Sequence, residues 1–202
     1  DAALEAVAAV VEALDLRGPT LGVIRCCCDK LATFEAMSTA GLSVPETIHV
    51  QTIEEARVAA RSLGNARCVV KPRSSAGGRG VSIVDDLNGL DEALKLALQY
   101  AAPNAGALIQ AYVDGAPLGV EAFFRDGQLI RAFVLNDQFR EGFVSPVGHS
   151  LPSRLDQKKM ESIAEVVGRF AAAAGISNGP ANFDLRQSED ETVLIEINPR
   201  LG

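Results

Sequence analysis

Two apolar runs, residues 120–124 and 128–135, flank Asp126-Gly127. An Asp-Gly pair tolerates the positive φ values of a tight turn, so the pattern predicts two antiparallel strands joined directly. A doubly wound parallel sheet needs strict strand–helix alternation, and the alternation fails at residues 119–135. A second hairpin is predicted from residues 181–186 and 192–198, turning at 188–191. Further strands are expected at 21–24, 68–71, 81–84 and 107–113, with 136–152 irregular.

Helical patterns separate these strands. Residues 2–16 place Leu4, Val7, Val10, Val11 and Leu14 at helical spacing, ended by Gly18 and Pro19. Asp29 can cap a helix running to Ala40 that Gly41 stops, and Thr52 with Glu55 forms a capping box for a helix reaching Leu63. Asn88 opens a helix over 89–101, and Ser153 caps one running to Ala174. Hairpins separated by helices predict an α+β fold with antiparallel sheets.

Composition narrows the function classes. Among the 202 residues no apolar run reaches the ~20 needed to span a bilayer, and no basic-led leader opens the chain, so a cytoplasmic protein without a membrane partner is expected. A net charge of −7 argues against a nucleic-acid partner, because a phosphate backbone needs clustered cations. A nucleotide remains compatible, since its site needs only a few placed cations and a metal ion. Cys26, Cys27, Cys28 and Cys68 show no CxxC spacing, and reduced thiols are expected. Both ends read as cut, since the first helical pattern has no cap before Asp1 and the chain stops just after a motif.

Three segments suggest chemistry. On the last predicted strand, period two puts Glu196, Asn198 and Arg200 on one face, with Asp184 available from the partner strand. Hard oxygen donors beside a cation suit a Mg-phosphate site; an ordinary half-solvated hairpin with a salt bridge is the other reading. Val69, Val70, Lys71 and Pro72 lead into a glycine-rich stretch, residues 73–80. Its backbone N–H groups can cradle phosphates with Lys71 as a point charge, or it can be a plain mobile hairpin. It has neither the Walker A order nor a helix directly after the glycines, so it forms a flap rather than a P-loop. Residues 108–113 then run to Asp114-Gly115, either a core strand or an edge whose backbone meets a flat base.

These pieces occur in a telling order: Asp29-Lys30, AGLSVPET at 40–47, VVKPRSSAGGRGV at 69–81, LIQAYVDG at 108–115, NFDLR at 182–186 and LIEINPRLG at 194–202. Together they resemble the ATP-grasp superfamily over residues 29–202. The resemblance implies two α+β lobes that grip ATP between antiparallel sheets. Residues 1–44 would be a linker and the start of the core, 45–112 a lid and 113–202 the main lobe. Lys30 and Lys71 would meet ATP phosphates, and Gly77, Gly78 and Gly80 would close over them. Gln110 and the backbones of Ala111 and Val113 would form the adenine hinge. Asp184, Glu196 and Asn198 would hold Mg2+, for which Mn2+ can substitute, and Arg200 would steady phosphoryl oxygens or the substrate carboxylate.

The chain departs from the family pattern in places. Ala111 and Pro117 stand where many members carry Glu, so Glu121 is assigned the ribose hydroxyls, and Asp184 stands where many carry Glu. Residues 140–153 resemble the loop of amino-acid ligases with a GHxxPS stretch. His149 would line the acceptor side or order the loop, and Arg140 would meet a carboxylate or solvent. The implied activity is ATP-dependent carboxylate–amine ligation through an acyl phosphate, with Lys71 and Arg200 as catalytic cations. The partners would be a small carboxylate and a small amine, with room for a homodimer through parts beyond the chain. Bicarbonate phosphorylation, as in carboxylases and carbamoyl phosphate synthases, and a non-catalytic ATP-binding module are the alternatives.

Overall fold

Helix starts follow the local caps in a computed structural model that describes residues 3–64, 67–140 and 143–202. Asp29 Oδ1 accepts from the N–H groups of Leu31 and Ala32 and opens α3, Lys30–Thr39. Thr52 and Glu55 form the capping box of α4, Ile53–Ser62. Some starts differ from expectation. Asp86 caps a short 3-10 turn, Leu87–Gly89, before α5, Leu90–Tyr100. Asp156, not Ser153, caps α6, Gln157–Ala173, accepting from the Lys159 N–H, while the Ser153 hydroxyl donates to Asn136 Oδ1 and accepts from the Leu155 N–H before the helix begins.

The run at 21–24, read as a strand, is the first turn of α2, Leu21–Cys28. Thr20 accepts from the Val23 N–H, and Val23, Ile24 and Cys27 fall on one buried helical face. A short apolar run fits either period, and the cap decides. In α1, Leu4–Ala13, the buried residue is Ala8, while Val7, Val10 and Leu14 of the expected apolar stripe are exposed.

The chain forms two compact units. The first comprises the chain up to Val44, Asp114–Gln138 and Pro146–Gly202. Its sheet has the order β7-β6-β5-β8-β9, antiparallel throughout. The strands are β5, Ala116–Arg125; β6, Gln128–Gln138; β7, Gly148–Ser150; β8, Gly179–Gln187; and β9, Thr192–Asn198. One face carries Val120, Phe183, Leu194 and Ile197 into a core with Ile163, Val167 and Phe170 of α6. Strand β7 lies in the segment expected to be irregular, and it pairs Asp137 with His149.

The second unit comprises Pro45–Val113 and Phe139–Ser145. Its antiparallel sheet has the order β1-β4-β2-β3. These strands are β1, Thr47–Val50; β2, Cys68–Pro72; β3, Ser82–Val84; and β4, Ala107–Ala111. Val70 and Ile109 pack against Ala56 and Ala60 of α4 and Leu90 and Leu94 of α5. No described helix is long and apolar enough to cross a membrane.

Candidate active site

A bulge builds the acidic face. On β9, Leu194 pairs with Leu185 and both are buried in the core. Regular alternation would send Glu196 inward as well. The register instead shifts between Asp184 and Leu185, so Ile195 has no partner residue and Glu196 pairs with Asp184. One inserted residue turns everything beyond it to the other face. Ile197 therefore returns to the core with Phe183, while Glu196 and Asn198 lie with Asp184 and Asn182 on the opposite face.

The charges there are concentrated. Lys30, buried at the start of α3, places Nζ 3.0 Å from Glu196 Oε1. Burial, and then the charges of Glu196 and Asp137, push the Asp184 carboxyl up to about 7, while His149 and Arg200 pull it down. Arg200 lies beyond the strand, so period two does not place it; its N–H turns back to the Asn198 carbonyl at 2.8 Å. Its guanidinium donates to the Leu201 carbonyl at 2.8 Å and approaches Asn198 Oδ1 at 3.5 Å.

Glu121 occupies the same face of β5, opposite Asn182. Its Oε1 accepts from Asn182 Nδ2 and from the Gly202 N–H, each at 3.0 Å. Its Oε2 is buried with no hydrogen-bond partner among the described residues. A buried carboxylate oxygen can accept from a donor such as a hydroxyl.

The donor set fits Mg2+. Asp184, Glu196 and the Asn198 side-chain oxygen are hard donors on one strand pair, and the Asp184 carboxyl, raised first by burial and then by Glu196 and Asp137, sits where a cation would offset both. Among the described residues no group of three or more His, Cys, Asp or Glu can hold a metal ion alone. Two carboxylates completed by phosphate oxygens is how Mg2+ is commonly held.

The second unit carries the remaining predicted residues apart from His149. Lys71 is buried on β2, opposite Leu108 and on the face away from Cys68 and Val70. The stretch after it needs its glycines. Gly77, Gly78 and Gly80 have φ of 65°, 68° and 77°, in the left-handed region. A Cβ on Gly78 would run into Ser145 Oγ, and one on Gly80 would lie 2.8 Å from Pro72 Cγ. At the expected hinge, Gln110 Nε2 donates to Thr47 Oγ1 at 2.8 Å, and the Ala111 N–H donates to the Glu46 carbonyl at 2.9 Å. Both donors are thus engaged within the sheet. Val113 follows the end of β4. The Arg140 guanidinium stacks on the Phe143 ring, 5.6 Å from its centroid.

Asp137 and Asn182 complete the acidic face, and neither had been assigned a role from sequence. Asn182 was legible, because period two from Asp184 places it on that face. Asp137 was not, because its position depends on β6 and β7 extending into a segment without strand signals.

The comparisons agree with this architecture. A family model described as the ATP-grasp domain matches residues 27–202, and the chain belongs to that family. It is 28% identical to the carbamoyl phosphate synthase large chain of Rubrobacter xylanophilus, covering 94% of this chain and 18% of that one. The L-amino acid ligase of Bacillus licheniformis superposes with a TM-score of 0.80 at 25% identity, covering 99% of this chain and 47% of that one. The biotin carboxylase of Campylobacter jejuni superposes with a TM-score of 0.83 at 20% identity, over 98% of this chain and 46% of that one, a likeness of fold. The chain thus spans less than half the length of each of these three proteins.

Proposed function

We propose that this chain is the catalytic core of a Mg·ATP-dependent carboxylate–amine ligase, which forms an amide through an acyl phosphate and releases ADP and phosphate. The observation that carries this reading is the bulge-built pairing of Asp184 with Glu196, with Asn198 beside them. The ligase likeness at 25% identity and the Gly148–Ser150 strand bearing His149 support the amine-acceptor branch. When bound, Mg2+ supplies charge neutralisation at the transferring phosphoryl oxygens.

The chain's own residues orient and shield. Asp184, Glu196 and Asn198 would hold the metal, while Lys30 and Lys71 would meet phosphate oxygens as point charges. Arg200 steadies the carboxylate or the departing phosphoryl oxygens, and Glu121 Oε2 accepts from the ribose hydroxyls. Gly77, Gly78 and Gly80 let the backbone cover the phosphates and keep water from the acyl phosphate. Ala111, through its carbonyl, and Val113 serve the adenine edge; Gln110 supports that edge by tying β4 to β1. Arg140 is assigned to a substrate carboxylate.

Such catalysis rests on positioning and charge stabilisation rather than on a covalent enzyme intermediate. Burial pushes the Cys27 and Cys68 thiols up, so they remain poor nucleophiles at neutral pH. Reduced thiols and Mg·ATP are both compatible with the cytoplasm, where we place the protein. An ADP-release screen of amino-acid pairs in the full-length protein tests the reading: ADP formed only when acid and amine are both present supports it. The similarity to carbamoyl phosphate synthase favours a second reading, in which bicarbonate is the acid. Bicarbonate-dependent ADP release without an amino acid would select that reading.

A further inference from the structure

The acidic face contains a pairing that the phosphoryl chemistry leaves unused. His149 Nδ1 lies 2.7 Å from Asp137 Oδ1. The Asp137 side chain is 4% exposed and that of His149 is 45% exposed. The pairing is set by register, because Asp137 on β6 stands opposite His149 on β7. A carboxylate only accepts, so Nδ1 carries the hydrogen, and a neutral ring then presents the Nε2 lone pair outward.

Gly119 makes room for this arrangement. A Cβ on Gly119 would sit 2.9 Å from Asp137 Oδ1. Gly119 is absent from the positive-φ glycines, so its backbone does not demand glycine. The space taken by the Asp137 carboxyl does. The dyad also lies within electrostatic reach of Asp184, since both Asp137 and His149 act on that carboxyl.

We propose that His149 is the general base that deprotonates the amine nucleophile, and that Asp137, seated over Gly119, is the positioning residue that fixes its tautomer. The proposal rests on the ligase reading above. In the step it serves, the amine nitrogen bonds to the acyl carbon as the C–O bond to phosphate breaks. The nitrogen sheds two protons between ammonium and amide: Nε2 takes the first, which frees the lone pair for attack, and the exposed ring releases it to water, while the phosphate, leaving with the C–O electron pair, takes the second.

Two measurements on the full-length protein test this. Hydroxylamine is a free base at neutral pH and traps an acyl phosphate without help, whereas an amino-acid amine arrives as an ammonium ion. His149→Gln and Asp137→Asn should therefore lose roughly 100-fold more in amide formation than in hydroxamate formation from the carboxylate and ATP. Gly119→Ala should lose less, in the same direction. Imidazole should restore amide formation to His149→Gly but not to Asp137→Asn. Separately, these 202 residues hold 2 histidines, His49 and His149, so in 15N spectra of a His49→Gln background the signals lost on adding His149→Gln belong to His149. The Nδ1–H tautomer is expected in that background, and its loss is expected after Asp137→Asn.

Equal loss of hydroxamate and amide in both variants, or full amide formation in both, overturns the dyad's role while leaving the ligase reading intact. A wild-type protein that forms no hydroxamate with any acid overturns the ligase reading and the base role together. An Nε2–H tautomer in the His49→Gln background overturns the positioning geometry whatever the activity.

Discussion

The two sheets handle charge in opposite ways. The five-stranded sheet gathers Asp137, Asp184 and Glu196 on the face turned from its core, and the bulge at Ile195 brings the last two together. The four-stranded sheet buries one cation, Lys71, and follows it with a stretch in which Gly77, Gly78 and Gly80 hold positive φ and which we propose covers the phosphates. In the proposed function one region works through side chains placed by register, and the other through its backbone. A metal site needs oxygen atoms at fixed points, while a cover over phosphates needs close backbone approach. The first should therefore fail when charge is removed, and the second when volume is added.

The largest effect is expected on the acidic face. Glu196→Ala should lower ADP formation by about 100-fold or more, with the far-ultraviolet circular dichroism unchanged. Equal activity in that variant would break the contrast at its strongest point. On the other sheet, Lys71→Met keeps the buried methylenes and removes the charge. It should weaken ATP binding roughly 10- to 100-fold by calorimetry. A smaller effect, about 10-fold in turnover, is expected for Gly78→Ala, whose Cβ meets Ser145 at a positive φ. If Gly78→Ala leaves steady-state rates untouched, the stretch is not a cover.

The smallest effect sharpens the electrostatics. Asp184 titrates at about 7 when folded, above the ordinary carboxylate value of about 3.9. The folded state therefore binds the proton more tightly than the unfolded chain. The stability this confers is complete below about pH 4 and is lost as pH rises through 7. Without metal, the melting temperature should fall by a few degrees between pH 5 and pH 7.5. Asp184→Asn should flatten that fall in pH-dependent melts.

The α+β class was legible because Asp126-Gly127 and the 188–191 turn sit between alternating runs, and the caps at Asp29 and Thr52 placed two helices. Glu196, Asn198 and Asp184 were legible as residues. Alternation puts Glu196 and Asn198 on one face as expected, but that this face is turned from the core that takes Leu194 is the work of the bulge. No local residue preference announces a one-residue register shift. Arg200 was expected on the strand and lies past its end, reaching Asn198 by a backbone turn. Asp137 needed a three-residue edge strand, Gly148–Ser150, too short for any periodicity. Leu21 was read as a strand start because four apolar residues carry no period of their own.

The most direct test is a calorimetric titration of a nonhydrolysable ATP analogue into the protein, with and without Mg2+, in the wild type and in Glu196→Ala. Binding that strengthens with Mg2+ in the wild type and loses that dependence in the variant is the predicted result. Binding indifferent to Mg2+, or a variant with the wild type's full Mg2+ dependence, would contradict the assignment of the Asp184–Glu196 face as the metal site.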